Sequence, residues 1–395
     1  MFGKYDGKEQ FYFNEFIAGR MENPVEILEA SFSLAVNYKY AIAVNSGTSA
    51  LHAALEACEV DDGEVLVTAL CPAMVIFAII HAGAKPIFVD VDKDTMLMDL
   101  EDAKKKTTDN TLAVLAVSLN GLPVDWKPFA KFVKDKVLWT IDDCAQALGA
   151  TRNNEVQADI SCYSFEDKKH ITTGSEGGMI CTNHEGTAKR ARKFAGLGYK
   201  HMTATAGRTS LSAETYQDPD YMRFDVIGLN YRMSKIQAIM GIAQLERLPH
   251  IIAQRRAVAR MFFDATNSPS DFDPPWGTHS YYTFPVSYDG NWKEFYNKFK
   301  SMGGDGFYAA PQVAYNEPAL NEYRGDCPIA EDIQKKLMLF KTNHRNLGEA
   351  EIQCRLLNSL IFPAKPQLSL VERAFSVNAT VKSSKNLAEN PSQPI

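Results

Sequence analysis

Two side chains five residues apart, the hydroxyl of Ser164 and the amine of Lys169, fall in the stretch SFEDKKHITTGSEGG over 164–178. The stretch follows a run of small and apolar residues, sets Lys168 and Lys169 in a turn, and closes on a glycine cluster. A lysine amine held beside an apolar strand end loses its proton readily and becomes a nucleophile toward carbonyl carbon. A hydroxyl at the strand end and an amine one short turn later could address two ends of one ligand. The same residues also read as a charged β-turn with a glycine exit, so the choice depends on what else the chain provides.

Three further segments carry candidate chemistry. Asn45-Ser46-Gly47-Thr48-Ser49 combines glycine, hydroxyls and a helix start, which makes either an anion site of backbone N–H groups and helix dipole or an ordinary cap. Asp142-Asp143-Cys144-Ala145-Gln146 ends a strand, where a carboxylate either caps the next helix or binds a cationic ring nitrogen; Cys144 reads as a packing residue. Gly228-Leu229-Asn230-Tyr231-Arg232-Met233 is a polar lead into a long helix, or a cap followed by a surface arginine. An anion turn, a strand-end acid and a lysine together suggest pyridoxal phosphate. That cofactor has a phosphate, a pyridine nitrogen to be kept protonated, and an aldehyde that condenses with an amine.

The elements that must bring these groups together follow an alternating pattern. Helical spacing over 24–38 is followed by a strand at 40–44 and a helix at 49–58. Strands at 64–68, 85–91, 112–117, 137–141, 160–165 and 179–182 then alternate with helices at 73–82, 100–106, 126–133 and 189–194. Strand, small polar turn and helix in repetition predict an α/β fold with a mainly parallel, seven-stranded sheet covered on both faces. In such sheets ligands sit beyond the carboxyl ends of the strands. Residues 198–225 read as a long loop. Helices at 233–248 and 251–263 flank Pro249, and Pro274-Pro275 marks a boundary. A strand at 281–286, a helix at 292–302, a strand near Phe307 and a helix at 350–357 make a smaller α+β unit. The expected division is an N-terminal arm at 1–24, a large domain at 25–263, a small C-terminal domain at 264–380 and a disordered tail at 381–395.

With 395 residues, 45% of them hydrophobic and 23% charged, the chain has the profile of a soluble globular protein with a large core. A formal charge of -6 gives no global case for nucleic acid or an anionic membrane. The seven cysteines are scattered, with no CxxC pair, and read as buried reduced thiols of a cytoplasmic protein. The start MFGKYDGKEQ lacks an apolar core, and the apolar stretch Ala69–Ile80 is broken by Pro72 and too short to span a bilayer. No metal site is expected.

Five segments in order are AIAVNSGTSALHAAL, HAGAKPIFVDVD, IDDCAQALGA, SFEDKKHITTGSEGGMI and GLNYRMSKIQAIMGIAQLERL, with CPIAEDIQKKLMLFKTN as a weaker sixth. On these the chain resembles the sugar aminotransferases of the DegT/DnrJ/EryC1/StrS family, pyridoxal phosphate enzymes of the aspartate aminotransferase fold (fold type I). The resemblance implies that Lys169 carries the cofactor and that Lys168 is only its neighbour. It places Asp143 at the pyridine nitrogen and Gln146 by the phenolic oxygen, with Gly47, Thr48 and Ser164 on the phosphate. Asn230 matches an asparagine that reaches the phosphate of a neighbouring subunit, which implies a homodimer with shared active sites. Arg232 and His170 are the substrate-facing candidates.

The activity implied is amino transfer from L-glutamate or L-glutamine to a keto-sugar, nucleotide-linked, in amino-sugar and surface polysaccharide biosynthesis. One alternative acceptor is a cyclitol ketone or a free keto-sugar acid. Another alternative is a sugar dehydratase; those relatives replace the lysine by histidine, and although His170 follows Lys169, the five-residue spacing selects the lysine. A non-catalytic regulator of the same fold is the third, against which an intact Lys169 and Asp143 argue. The sequence departs from the family at three places. Pro72 stands where relatives stack an aromatic ring on the cofactor, leaving Phe77 as a substitute. TTGSEGG is one residue longer than TTGEGG, and 150–159 is short.

Overall fold

The computed structural model describes residues 5–153, 156–205, 211–267, 273–305, 308–309 and 313–361. Two helices, α1 (Lys8–Ile17) and α2 (Pro24–Val36), lead into β1 (Tyr40–Val44). Pro24 occupies the first turn of α2, where its missing N–H costs nothing, and Asn37 ends the helix in the left-handed region at φ 57°. The alternation then runs α3 (Gly47–Ala57), β2 (Glu64–Thr68), α4 (Ala73–His81), β3 (Lys85–Val89), α5 (Leu100–Lys106), β4 (Thr111–Val117), α6 (Phe129–Lys136) and β5 (Trp139–Asp143). After β6 (Thr151–Arg152) come β7 (Ile160–Ser164), β8 (Gly178–Thr182), α7 (Glu185–Ala195), the short α8 (Ala213–Gln217) and the long α9 (Lys235–Thr266).

Among the described residues seven strands form one sheet, in the order β1-β8-β7-β5-β4-β2-β3. The pairs β2–β3, β2–β4, β4–β5 and β5–β7 are parallel, and β8 lies antiparallel between β1 and β7. The sheet is therefore mainly parallel, as the alternation predicts. Its two faces bury different residues of the same strands. Tyr40, Ile42 and Val44 of β1 join the core shared with α3 and α4, while Ala41 and Ala43 join the one shared with α2 and α9. That is the period-two alternation of a strand covered on both sides.

The remaining elements are β9 (Gly277–Thr278), β10 (Thr283–Ser287), α10 (Trp292–Ser301), β11 (Tyr308–Ala309), α11 (Pro328–Lys336), β12 (Leu337–Lys341) and α12 (Leu347–Ile361). β12 lies between β10 and β11, antiparallel to both. A third core gathers Val258 and Phe262 of α9 with Phe284, Phe299, Phe340 and Leu357. β9 pairs with β6.

Several boundaries differ from the sequence expectation, each for a local reason. Pro249 does not divide α9, which is one helix of 32 residues opened by a Ser234–Gln237 capping box. The proline removes one backbone hydrogen bond, at a cost of about 3 kcal/mol. Buried residues on both sides, Ile242 and Leu248 before it and Val258 and Phe262 after it, offset that loss. α6 starts at Phe129 rather than Trp126, because Trp126 is buried and donates its Nε1–H to Asp142. Val137, expected to open β5, instead ends α6 at φ 57°. The expected loop at 198–225 contains α8 and is pinned by a bridge between Tyr199 and Phe224. Phe307 and the tail 381–395 lie outside the described residues.

All seven cysteines are free and buried. Among the described residues no helix is long and apolar enough to cross a membrane. No group of three or more His, Cys, Asp or Glu there is placed to hold a metal ion.

Candidate active site

The carboxyl ends of β1, β5 and β7 share one edge of the sheet, and each delivers one of the chemical groups. β8 fixes two of them in register, since Gly178 pairs with Val44 on one side and Ser164 on the other. Two residues beyond Val44 the Ser46 hydroxyl accepts the Ser49 N–H and caps α3, while the Ser49 hydroxyl donates to Asn45 Oδ1. Gly47, at the first turn of α3, lies against Ser164. A Cβ added to Gly47 would stand 2.7 Å from the Ser164 Cβ and 3.1 Å from its Oγ. A Cβ on Gly178 would collide with the Ser46 carbonyl. Glycine at both positions lets the N–H groups of the helix start approach the Ser164 hydroxyl, with exposed Thr48 on the same turn. Unsatisfied N–H groups and the helix dipole favour a phosphate there.

The turn from β7 to β8 carries Lys169. Its N–H donates to the Glu166 carbonyl at 2.9 Å, and Phe165 is buried against Phe32, with its N–H on the Gly177 carbonyl. Lys168 points outward and is exposed, whereas Lys169 is half-buried. Burial pushes the Lys169 amine below its ordinary pKa, against the pull of Asp143 and Glu166 and with a smaller push from Lys168. The length of TTGSEGG is absorbed at the exposed tip, where Gly174 and Ser175 both take positive φ, 84° and 111°. The Thr173 hydroxyl donates to the Glu176 carbonyl to close the tip.

The two acids at the end of β5 have different surroundings. Asp142 accepts the Ser118 hydroxyl at 2.8 Å, the Trp126 Nε1–H at 3.0 Å and the Arg152 guanidinium. Asp143, facing the other way as strand neighbours must, accepts the Ala145 N–H. Its carboxyl is pushed up to about 6, mainly by burial; the Ala145 N–H and Lys169 oppose the rise and Asp142 adds to it. A cation beside Asp143 would restore its ionised form. Next to this pair, Gln146 Oε1 accepts the Asn120 N–H, and the buried Asn120 Nδ2 has no partner.

The other expected residues lie elsewhere around this edge. Asn230 and Arg232 are exposed and paired with each other, Arg232 Nε donating to Asn230 Oδ1 at 3.1 Å. An isolated bridge between Val44 and Arg232 ties their segment to the end of β1. Among the described residues no hydrogen bond joins either side chain to Lys169, Asp143 or Ser164. His170 is buried with its ring 5.7 Å from that of Tyr282, and burial holds it neutral. Pro72 caps α4, and Phe77 packs against the core of the sheet.

Tyr282, Arg255 and Asn120 escape sequence reasoning. The Tyr282 ring centre lies 5.0 Å from Lys169 Nζ. Arg255 comes from the middle of α9 and Tyr282 from just before β10, so no local motif announces either. Asn120 carries one local sign, a left-handed backbone at φ 58°.

These groups fit pyridoxal phosphate: a glycine-lined helix start beside a hydroxyl, a buried carboxylate awaiting a cation, an unpartnered amide N–H beside Gln146, and a desolvated amine. When bound, the cofactor supplies an aldehyde for an amine and a ring that accepts the electron pair left by a broken Cα–H bond.

The comparisons with known proteins agree with that chemistry. The family model of the DegT/DnrJ/EryC1/StrS aminotransferase family matches residues 14–354. A GDP-perosamine synthase of Escherichia coli O157:H7 is 35% identical over 270 residues, covering 66% of this chain and 69% of that protein. In structure, an aminotransferase from Psychrobacter cryohalolentis superposes with a TM-score of 0.81 at 24% identity, over 90% of this chain and 96% of that one. An E. coli GDP-4-keto-6-deoxy-D-mannose-3-dehydratase with bound hydrated pyridoxal phosphate reaches 0.77 at 22% identity, over 90% and 97%. The fold is thus shared by transfer and dehydration enzymes.

Proposed function

The chain belongs to the DegT/DnrJ/EryC1/StrS aminotransferase family, and on that premise we propose that it moves an amino group from L-glutamate or L-glutamine to a nucleotide-linked keto-sugar, in amino-sugar biosynthesis. The observation that carries this reading is the desolvated amine of Lys169 acting with the buried carboxylate of Asp143. The fold alone does not choose between transfer and dehydration; a lysine at this position favours transfer. The likeness to a GDP-perosamine synthase supports a nucleotide-linked acceptor over a cyclitol or a free sugar acid.

In this reading each residue acts on a stated group. Gly47 and Thr48, at the start of α3, and the Ser164 hydroxyl hold the phosphate. Asp143, ionised beside a pyridine nitrogen, keeps that nitrogen protonated. Gln146 and the free N–H of Asn120 orient the phenolic edge. Lys169, its pKa lowered by burial, is the amine that would hold the cofactor at its aldehyde, and it would take the proton from the donor Cα. It then delivers a proton to the acceptor carbon that receives the nitrogen. The donor leaves as a 2-oxo acid, the acceptor gains an amine, and the other atoms of both are unchanged.

Asn230 and Arg232 serve a second copy of the chain in this reading. Exposed apolar side chains surround them in sequence, Phe224, Ile227, Leu229 and Ile236, with Ile227 97% exposed. A surface of that kind fits an isologous homodimer, with Arg232 facing the substrate at the shared site. The division into domains at 25–263 and 264–380 is part of the same proposal: α9 crosses it, with Leu248 in a core of the large sheet and Val258 in that of β10–β12. Free, buried cysteines support work in the cytoplasm.

The test is incubation of the purified protein, supplied with pyridoxal phosphate, with L-glutamate and a panel of nucleotide-linked and free keto-sugars. Release of 2-oxoglutarate that depends on a nucleotide-linked keto-sugar is expected. Release with the free sugars alone would overturn the acceptor class, and no release with any would overturn the transfer reading.

A further inference from the structure

Tyr281 stands out in the segment before β10. Its φ is 50°, in the left-handed region that a bulky aromatic residue rarely enters. Its ring belongs to the core of the smaller sheet, whereas the ring of the next residue, Tyr282, lies 5.0 Å from Lys169 Nζ. A conformation of that kind persists only where its surroundings hold it, and the bonds of this segment show what holds it.

On the amide side, the Ser280 N–H donates to the Gly121 carbonyl at 2.9 Å and the Tyr281 N–H to His279 Nδ1 at 2.8 Å. The His279 ring lies flat on that of Tyr281, with centres 3.8 Å apart. Gly121, itself at φ 102°, lets the turn after β4 come close: a Cβ there would stand 2.6 Å from the Tyr281 nitrogen. On the carbonyl side, Thr342, fully buried just after β12, donates its hydroxyl to the Tyr281 carbonyl at 2.5 Å. Arg255 Nη1 donates to the Tyr282 carbonyl and to the Thr342 oxygen, both at 2.9 Å.

The chemistry of the groups fixes the direction of these bonds. A guanidinium has only donors, so the Thr342 oxygen accepts from Arg255 and its single proton is left for a carbonyl. Tyr281 offers the nearer one; the Tyr282 carbonyl, at 3.2 Å, is already served by Arg255. Arg255 therefore orients Thr342, and Thr342 holds Tyr281. The burial of Arg255 has its purpose here: its Nη1 spans two neutral oxygens of the strained segment, and its guanidinium stands 5.8 Å from the Tyr282 ring centre.

We propose that Thr342 is a positioning residue for the reacting lysine: oriented by Arg255, its hydroxyl holds Tyr281 in the left-handed conformation and so keeps the Tyr282 ring against the Lys169 amine. A ring held there gives the amine a fixed place between holding the cofactor and moving a proton. The assignment rests on the aminotransferase reading of Lys169, and Thr342 acts only through Tyr282.

Lys169 is faced by Asp143 from β5, by Glu166 and Lys168 from its own turn and by Tyr282, and a substitution at Thr342 leaves all four in the chain. The readout is the pH profile of Lys169 modification by a limiting amine-reactive reagent in the full-length protein freed of cofactor, followed by mass spectrometry. Thr342→Val removes the hydroxyl at nearly constant volume. It should move the profile to lower pH by about half a unit, as Tyr282→Leu should. Thr342→Ser keeps the hydroxyl and should match wild type. The double variant Thr342→Val/Tyr282→Leu should shift no further than Tyr282→Leu alone.

A wild-type profile for Thr342→Val or for Tyr282→Leu overturns the proposal. So does a Thr342→Ser profile shifted like that of Thr342→Val, or additive shifts in the double variant. Thr342→Ala takes the place of Thr342→Val if the latter does not fold; failure of both to fold makes the hydroxyl purely structural and overturns the proposal too. The readout involves no transfer. The expected profiles in a protein that transfers no amine sink the aminotransferase reading alone; unshifted profiles in a protein that does transfer sink this one.

Discussion

Lys169 Nζ lies 5.0 Å from the centre of the Tyr282 ring, so the candidate reacting amine is faced by an aromatic side chain from the far end of the chain. A ring face favours the protonated amine by about 0.5–1 kcal/mol, against the burial that favours the neutral form. Tyr282→Leu should therefore let the amine lose its proton at lower pH, while Tyr282→Phe should behave as wild type. The rate of Lys169 modification by a limiting amine-reactive reagent, followed by mass spectrometry across pH, measures this. Identical profiles for the Leu and Phe variants would show that the ring face contributes nothing.

Lys169 and Lys168 should differ sharply. Lys169→Ala removes the group that moves the proton and should lower amino transfer by about 10²–10⁴-fold or more. Lys168 is exposed, and Lys168→Ala should stay near wild type. Comparing 2-oxoglutarate release from the two variants checks the assignment; the opposite ranking would place the chemistry on the wrong lysine.

Asp143 makes the protein without cofactor pH-sensitive in a definite direction. Its folded carboxyl sits near 6, above the ordinary 3.8, so the folded state holds this proton more tightly than the unfolded chain does. Its contribution to stability is full below about pH 4 and is lost as pH rises through about 6. The difference of about two units corresponds to about 3 kcal/mol. Urea melts of cofactor-free wild type and Asp143→Asn should diverge by that order between pH 4 and 6 and run parallel above it. Parallel curves throughout would show that the carboxyl is not desolvated.

Asp142 should behave as a structural acid. Its removal strands Arg152, Trp126 and Ser118 in a buried network. Asp142→Ala should cost about 3–5 kcal/mol with or without cofactor, whereas Asp143→Asn should fold well and fail in transfer. Denaturant midpoints for the two variants distinguish the roles, and a mild loss in Asp142→Ala would contradict this one.

Gly47→Ala tests the approach of α3 to β7. The new methyl meets the Ser164 Cβ at 2.7 Å, an overpacking expected to cost about 1–3 kcal/mol and to weaken retention of the cofactor. Removing the obstacle in Gly47→Ala/Ser164→Gly should recover most of the melting temperature but not the phosphate contact of the lost hydroxyl. If the double variant is no more stable than the single one, the contact is not the cause.

The chain made its layers legible and hid its long-range meetings. Runs such as YAIAV and TLAVLAV are short, apolar and bounded by polar turns, so the strands and the helices between them can be read locally. The failures are equally local: Pro249 suggests a break that packing on both sides overrides, and Val137 has a strand former's side chain in a left-handed cap. At the site, the two acids of Asp142-Asp143 are indistinguishable as letters. They separate only once Trp126 and Arg152 fold back onto the first of them. Tyr282 reaches Lys169, and Arg255 reaches Tyr282, by the paths of β10 and α9, and no spacing in the sequence encodes that.

The burial of the cysteines has a practical consequence. Every native thiol is enclosed, and enclosure pushes each above its ordinary pKa. At neutral pH the folded protein therefore presents almost no thiolate to an alkylating reagent. One cysteine introduced at an exposed position away from the proposed subunit contact, such as Leu34→Cys, would take a fluorophore or spin label alone, with no native cysteine removed. Subunit pairing and donor-dependent movement could then be followed by spectroscopy in an otherwise unaltered chain.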